Sequence, residues 1–181
     1  MIFEALPLPG AYRIQLEKLE DSRGHFARTF DAEEFSQRGL NSTLAQCSTS
    51  FNKSRGTLRG LHWQAAPHDE DKLVRVTRGA VWDVMVDLRP ESPTFRKWHG
   101  ETLDAENAIQ FYIPRGFAHG FVTLSDDAEV FYQIAQFYKP DSARGARFDD
   151  PAFNISWPDT GRRIVSDRDF SFPPFNSQSP A

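Results

Sequence analysis

The stretch "KLVRVTRGAVWDVMVDLR", residues 72–89, alternates in a way that decides the fold class. Lys72, Val74 and Val76 share one parity, and beyond Arg78-Gly79 the residues Ala80, Trp82, Val84 and Val86 share another. Successive side chains point to opposite faces only in an extended chain, so the pattern predicts two strands, and Gly79 between them predicts a tight turn. Outward from it, "EVFYQIAQFYKP" (129–140) repeats the period, with Val130, Tyr132, Ile134, Gln136 and Tyr138 on one face and Phe131, Ala135 and Phe137 on the other. On that pattern both tyrosines point the same way.

Turn formers at "RPESP", "IPRG" and "YKPDS" separate several further short strands. Helical signals are few: "DAEEFSQRGL" (31–40) has Asp31 as a cap and Gly39 as a stop, and "DAENA" (104–108) makes a single turn. The expected fold is all-β, a closed or two-sheet antiparallel barrel or jelly roll with a few short helices, in which polar side chains converge in the interior. Sixteen Phe, four Trp and four Tyr suit such an interior. With 181 residues and no internal repeat, one domain spanning 1–181 is expected, its end from about 170 to 181 wrapping the surface or fraying.

The formal charge of -4 and the lack of a long Lys/Arg run speak against nucleic acid and membrane surfaces as partners. The single cysteine, Cys47, leaves no internal disulfide, and "MIFEALPLPG" lacks the features of a secretion signal. No segment approaches the roughly 20 apolar residues of a membrane helix. A cytoplasmic chain is expected.

Five histidines carry the first hints of chemistry. His25, His68 and His99 lie among polar residues or turn formers, where imidazoles are commonly inert. His62, in "GTLRGLHWQ" (56–64), and His119, in "YIPRGFAHGF" (112–121), begin apparent strands after glycine-bearing turns. A hydrogen-bonded core histidine is the plain reading of each. A metal site would enlist His62, His119 and Glu70, since P-x-G-x-x-H resembles the second motif of metal-binding cupin barrels. The matching H-x-H pair is missing, however, its place taken by His62-Trp63-Gln64, and two histidines with one carboxylate make a thin ligand set. No metal and no cofactor is expected.

Acid–base chemistry on a small organic ligand needs a base that is neutral near pH 7, a proton donor on the other side and a group that holds developing negative charge. His62 fits the first, Tyr132 or Tyr138 the second, and Lys72 the third if its parity carries it inward with Val74 and Val76. Strict alternation from His62 puts Arg59 on the opposite face, unless a bulge at Gly60 intervenes. Asp169, in "VSDRDF", is either a partner for an imidazole or an exposed loop acid.

Taken together, "GTLRGLHWQ", "EDKLVRVTRGAVWDVMVDLR", "SPTF", "YIPRGFAHGF", "EVFYQIAQFY" and "WP…SDRD" resemble the dTDP-4-dehydrorhamnose 3,5-epimerase family, in order from "DSRGHF" to Asp169. The resemblance implies a metal-free cupin-type jelly roll, usually a homodimer, that epimerises a dTDP-linked 4-keto-6-deoxy sugar at C3 and C5. It implies His62 as the base supported by Asp169, Tyr132 as the acid, and Lys72 as stabiliser of the enolate. Arg23, Phe26, Gln46, Arg59, His119, Tyr138 and Arg168 fall where the family contacts nucleotide, diphosphate or sugar. Arg28 and Ser48 fall at ligand contacts where Glu and Asn are common, and Ala143 or Arg144 stands where many members carry Glu. Those departures bear on the base, the sugar and the number of carbons inverted. A C3-only epimerase, a sugar ketoisomerase and a non-catalytic sugar-nucleotide-binding barrel are the alternatives.

Overall fold

The structure, a computed structural model, describes residues 1–175. The strands are, in chain order, β1 (Ile2–Ala5), β2 (Tyr12–Gln15), β3 (Leu19–Asp21), β4 (Gly24–Phe26), β5 (Gln46–Asn52), β6 (Leu58–Gln64) and β7 (Lys72–Arg78). They continue with β8 (Ala80–Asp87), β9 (Trp98–Asp104), β10 (Ile109–Ile113), β11 (Phe117–Thr123), β12 (Ala128–Ile134) and β13 (Ala143–Gly145). Helix α1 (Ala32–Gln37) lies between β4 and β5, and α2 (Asp167–Phe170) follows β13.

One sheet has six strands in the order β1-β2-β10-β7-β12-β5, the other five in the order β13-β6-β11-β8-β9, and β3 and β4 pair with each other. All these pairings are antiparallel. The two large sheets bury a shared core: Val74, Val76, Phe111, Ile113 and Val130 from one meet Val81, Met85, Leu103, Phe117 and Phe121 from the other. This is the all-β, cupin-type jelly roll with short helices.

One expectation is corrected. β7 and β8 do not form a hairpin, because β7 lies between β10 and β12 in one sheet while β8 lies between β11 and β9 in the other. Gly79 is the corner where the chain changes sheets. It has φ +70°, and a Cβ there would come within 2.4 Å of the Ser125 hydroxyl. The switch lets Val74 and Val76 face Val81 and Met85 across the core, which a hairpin would have forbidden. Trp82, Val84 and Val86 consequently line the outer face of the five-stranded sheet.

That outer face is covered by the chain's last stretch. Leu61, Trp63, Val84, Val86 and Ala118 pack with Ala146, Phe153, Trp157 and Phe175. The expected surface tail is thus anchored as far as it is described, with the Phe175 N–H donating to Asp150 at 2.7 Å; residues 176–181 lie outside the described residues. Helix α1 covers part of the other sheet through Phe35, packed on Ile14, Leu73 and Tyr112. It starts at Asp31, whose carboxylate accepts from the Glu33 and Glu34 N–H groups, and stops before Gly39 at φ +71°.

Candidate active site

Strand β6 carries the opening element of the site. Leu58 and Leu61 both pack on the outer face, yet lie three residues apart, and Arg59 and His62 both line one depression on the inner side. Simple alternation forbids this. The register supplies the explanation: His119 pairs with His62 and Phe121 with Arg59, so three residues of β6 span what two of β11 span. Gly60 is the inserted residue, with φ +117°; a Cβ there would meet the Gly120 Cα at 2.7 Å and the His119 carbonyl at 2.8 Å. The bulge at Gly60 brings Arg59 to the same side as His62.

Beside His62 stands Asp169, delivered from α2. Ser166 caps that short helix, its hydroxyl accepting from the Asp169 N–H at 3.2 Å. The His62 Nε2 lies 2.7 Å from Asp169 Oδ1. A carboxylate only accepts, so Nε2 carries the hydrogen and Nδ1 keeps its lone pair in the neutral ring. Asp169 is 4% exposed, and the Gly60 N–H also donates to it at 3.4 Å. Burial alone would push its carboxyl up, but the hydrogen bond and charge of His62, with the Gly60 and Ser166 hydrogen bonds, outweigh burial and hold it below the usual range.

A second pair lies deeper. The His119 Nε2 sits 2.9 Å from both oxygens of Asp83, and Asp83 is fully buried. Burial raises the Asp83 carboxyl above its ordinary range despite the opposing pull of His119 and Lys72. Sequence reasoning passed over Asp83, although a signal was there: on β8 it shares the parity of Val81 and Met85, the core-facing positions. An acid at such a position requires a partner.

Tyr132 and Lys72 come from the opposite sheet. Tyr132 pairs in register with Val74, and Ile134 with Lys72, so the lysine and the tyrosine share the inner face, as parity required. The Tyr132 ring meets the His119 ring edge-on at 5.9 Å. Burial, and then the charge of Asp83, push its phenol well above the usual range, with Arg59 opposing. The Lys72 ammonium is buried against Glu70 at 2.8 Å. Arg59 donates through Nε to Asn52 at 2.7 Å at the mouth.

Arg59, His62, Lys72, His119 and Tyr132, with Ser48 and Ser50, surround a depression of about 280 Å³. His62 also borders a neighbouring hollow of about 160 Å³ lined by Gln64, Glu70, Tyr138, Ala143, Arg144 and Arg168. Gln46 belongs to that side, its side-chain oxygen accepting from the Tyr138 N–H at 2.7 Å. The shared-face expectation for the two tyrosines is corrected here, because β12 ends at Ile134 and Tyr138 follows in irregular chain. His62 stands between the two tyrosines' hollows.

Arg23, Phe26 and Arg28 are not brought to either hollow. Arg23 and Phe26 belong to the projecting β3–β4 hairpin, where Arg23 pairs with Asp21 at 2.6 Å, and Arg28 follows beside Asp31 at 3.5 Å. His62, His119 and Glu70 do not converge either: each imidazole is taken by its own aspartate, and Glu70 holds Lys72 and Gln64. Among the described residues no three His, Cys, Asp or Glu side chains are placed to hold a metal ion.

Residues 5–177 match the family model described as dTDP-4-dehydrorhamnose 3,5-epimerase. This chain belongs to the dTDP-4-dehydrorhamnose 3,5-epimerase family. The family's protein from Sinorhizobium fredii is 40% identical over 173 residues, covering 96% of this chain and 89% of the relative. The crystal structure of the dTDP-4-dehydrorhamnose 3,5-epimerase from Elizabethkingia anophelis superposes with a TM-score of 0.93 at 42% identity, covering 97% of this chain and 96% of that one. The epimerase from Legionella pneumophila in complex with dTDP-4-keto-L-rhamnose gives a TM-score of 0.89 at 35% identity, covering 94% and 90% of the two chains. For an epimerase, the useful property of this arrangement is that β6 and β12 belong to different sheets. An imidazole and a phenol thus enter one depression from two sides. Among the epimerase's described residues no helix is long and apolar enough to cross a membrane.

Proposed function

We propose that this epimerase inverts C3 and C5 of dTDP-4-keto-6-deoxy-D-glucose, giving dTDP-4-keto-L-rhamnose, with His62 as base and Tyr132 as acid. The observation that carries the assignment is the placement of His62 and Tyr132 on opposite sheets around one depression that Lys72 also lines from the side of Tyr132. The His62 Nδ1 takes the proton from the carbon next to the ketone, and Asp169 stabilises the imidazolium that forms. The electron pair moves onto the ketone oxygen as an enolate, which the Lys72 ammonium stabilises. Tyr132, whose phenol is pushed by burial well above its usual range and so stays protonated at neutral pH, returns a proton to the opposite face of the same carbon. Proton exchange with solvent then resets the imidazolium and phenolate. The same cycle at the second carbon completes the double inversion.

Arg59 and Arg168 serve the diphosphate, while Gln46, Ser48, His119 and Tyr138 serve nucleotide and sugar from the two hollows that meet at His62. Arg23, Phe26 and Arg28 act on a second protomer's nucleotide in a cytoplasmic homodimer. Their exposure supports this, with the Arg23 side chain 87% and Phe26 65% exposed on a hairpin away from their own site.

Incubation with dTDP-4-keto-6-deoxy-D-glucose in deuterated water, read by proton NMR and mass spectrometry, tests the chemistry. Exchange at both C3 and C5, absent from His62→Ala, is the expected result; exchange at C3 alone would replace the double epimerase by a single one. Sedimentation analysis checks the dimer, a monomer at micromolar concentration counting against it.

A further inference from the structure

The chain that follows Asp169 has no part in the chemistry derived so far, yet it returns to His62. Gly145 on β13 pairs in register with His62 on β6. A Cβ on Gly145 would lie 2.2 to 2.7 Å from three ring atoms of Phe172, so the space that any other residue would fill there is occupied by that ring. The Phe172 ring in turn meets the His62 imidazole edge-on, with centroids 5.9 Å apart and planes at 69°. Phe172 stands three residues after Asp169, so one short segment supplies both the carboxylate at Nε2 and an aromatic contact to the imidazole.

That segment is pinned beyond Phe172. The Phe175 N–H donates to Asp150, and its ring packs 4.9 Å from Phe153 and 6.4 Å from Trp63. An imidazole held by one hydrogen bond still swings about its broad terminal torsion, and the position of Nδ1 swings with it. A second contact removes that freedom, and edge-on geometry is one that aromatic rings prefer.

We infer that Phe172 is a positioning residue: seated in the space left by Gly145, it holds the His62 imidazole in the orientation that keeps Nε2 on Asp169 and Nδ1 toward the substrate. This rests on His62 being the base. Misplacement of a reacting group by about 1 Å is enough to cost on the order of a hundredfold in rate, so a modest loosening of the ring is visible in turnover.

The test is a double-mutant cycle of Phe172→Ala and Gly145→Ala, with steady-state kinetics and nitrogen-15 NMR of the His62 imidazole in ligand-free protein. Phe172→Ala is expected to lower kcat about tenfold with KM changed less than about twofold, and to turn the single Nε2-protonated tautomer into a mixture. Gly145→Ala is expected to lower kcat by a similar factor while Phe172 is present, because its methyl displaces the ring, and to add little once Phe172 is alanine. Phe172→Leu, which refills most of the space, is expected to recover most of kcat, and it carries the same readouts if the alanine variant fails to fold. An unchanged kcat and imidazole spectrum in the Phe172 variants, or independent effects of the two substitutions, would overturn the proposal. His62→Ala run alongside separates the two readings: full turnover in that variant removes His62 as base, while the spectrum continues to report whether Phe172 holds the ring.

Discussion

Two histidine–aspartate pairs lie side by side in this molecule and differ in almost everything except their chemistry. His62 and His119 are register partners on adjacent strands, and each places Nε2 within 2.9 Å of a carboxylate. The His62 side chain is 42% exposed and its aspartate arrives from the far end of the chain; that of His119 is 6% exposed and its aspartate sits on the next strand of the same sheet. Asp169 is held below the usual carboxylate range by its hydrogen bonds, whereas burial pushes Asp83 above it. The same two residue types therefore make an imidazole half open to the depression and one whose ring only edges it while its aspartate is sealed behind. Access and solvation, rather than residue identity, separate the roles.

If that contrast holds, His62→Ala lowers turnover by about a thousandfold or more and removes deuterium exchange at both carbons. Survival of exchange would move the base elsewhere in the depression. Asp169→Asn leaves an amide that no longer fixes the imidazole tautomer, and a loss of about a hundredfold in kcat with little change in KM is expected from stopped-assay kinetics. Tyr132→Phe removes the returning proton but not the base; product formation falls by tens of fold or more, while exchange with retention persists on the His62 side. The NMR signal of unconverted but deuterated substrate is the readout.

The sealed pair is expected to show itself in stability. Asp83→Asn exchanges a buried carboxylate for an amide and costs about 1–3 kcal/mol in urea unfolding at neutral pH. The smallest effect is also the most discriminating, because the two aspartates have opposite linkage to pH. Asp169 has a lowered folded-state value, so its contribution is present above about pH 4 and lost as pH falls through that lowered value. Asp83 has a raised one, so the contribution of its proton is present below about pH 4 and lost as pH rises through that raised value. Acidification toward pH 4 should therefore increase the stability of the wild type relative to Asp83→Asn, while further acidification should shrink its advantage over Asp169→Asn. Parallel curves for the two variants would erase the distinction drawn between the pairs.

Much of the fold was legible in the sequence. Alternation identified β7, β8 and β12, and Asp31 and Gly39 marked the ends of α1. It also carried Lys72 inward with Val74 and Val76, because the direction of a side chain along an unbroken strand follows its count along that strand, a count that the inserted Gly60 breaks between Arg59 and His62. The resemblance of the motifs added the epimerase family, which the comparisons with known proteins established.

Parity could not say which strands would pair. It read β7 and β8 as neighbours around a turn, and only the core, which wanted Val76 and Val81 facing each other from two sheets, made Gly79 a corner. Nor could it locate Asp83 beside His119, bring Asp169 back across more than a hundred residues to His62, or seat Phe172 over Gly145. Local sequence determined which residues extend, which turn and, along unbroken strands, which way a side chain points, since those depend on neighbours a few bonds away. Tertiary structure alone decided which of them meet, because that depends on how two sheets bury their apolar faces together and on where the chain's last segment finds a surface to cover.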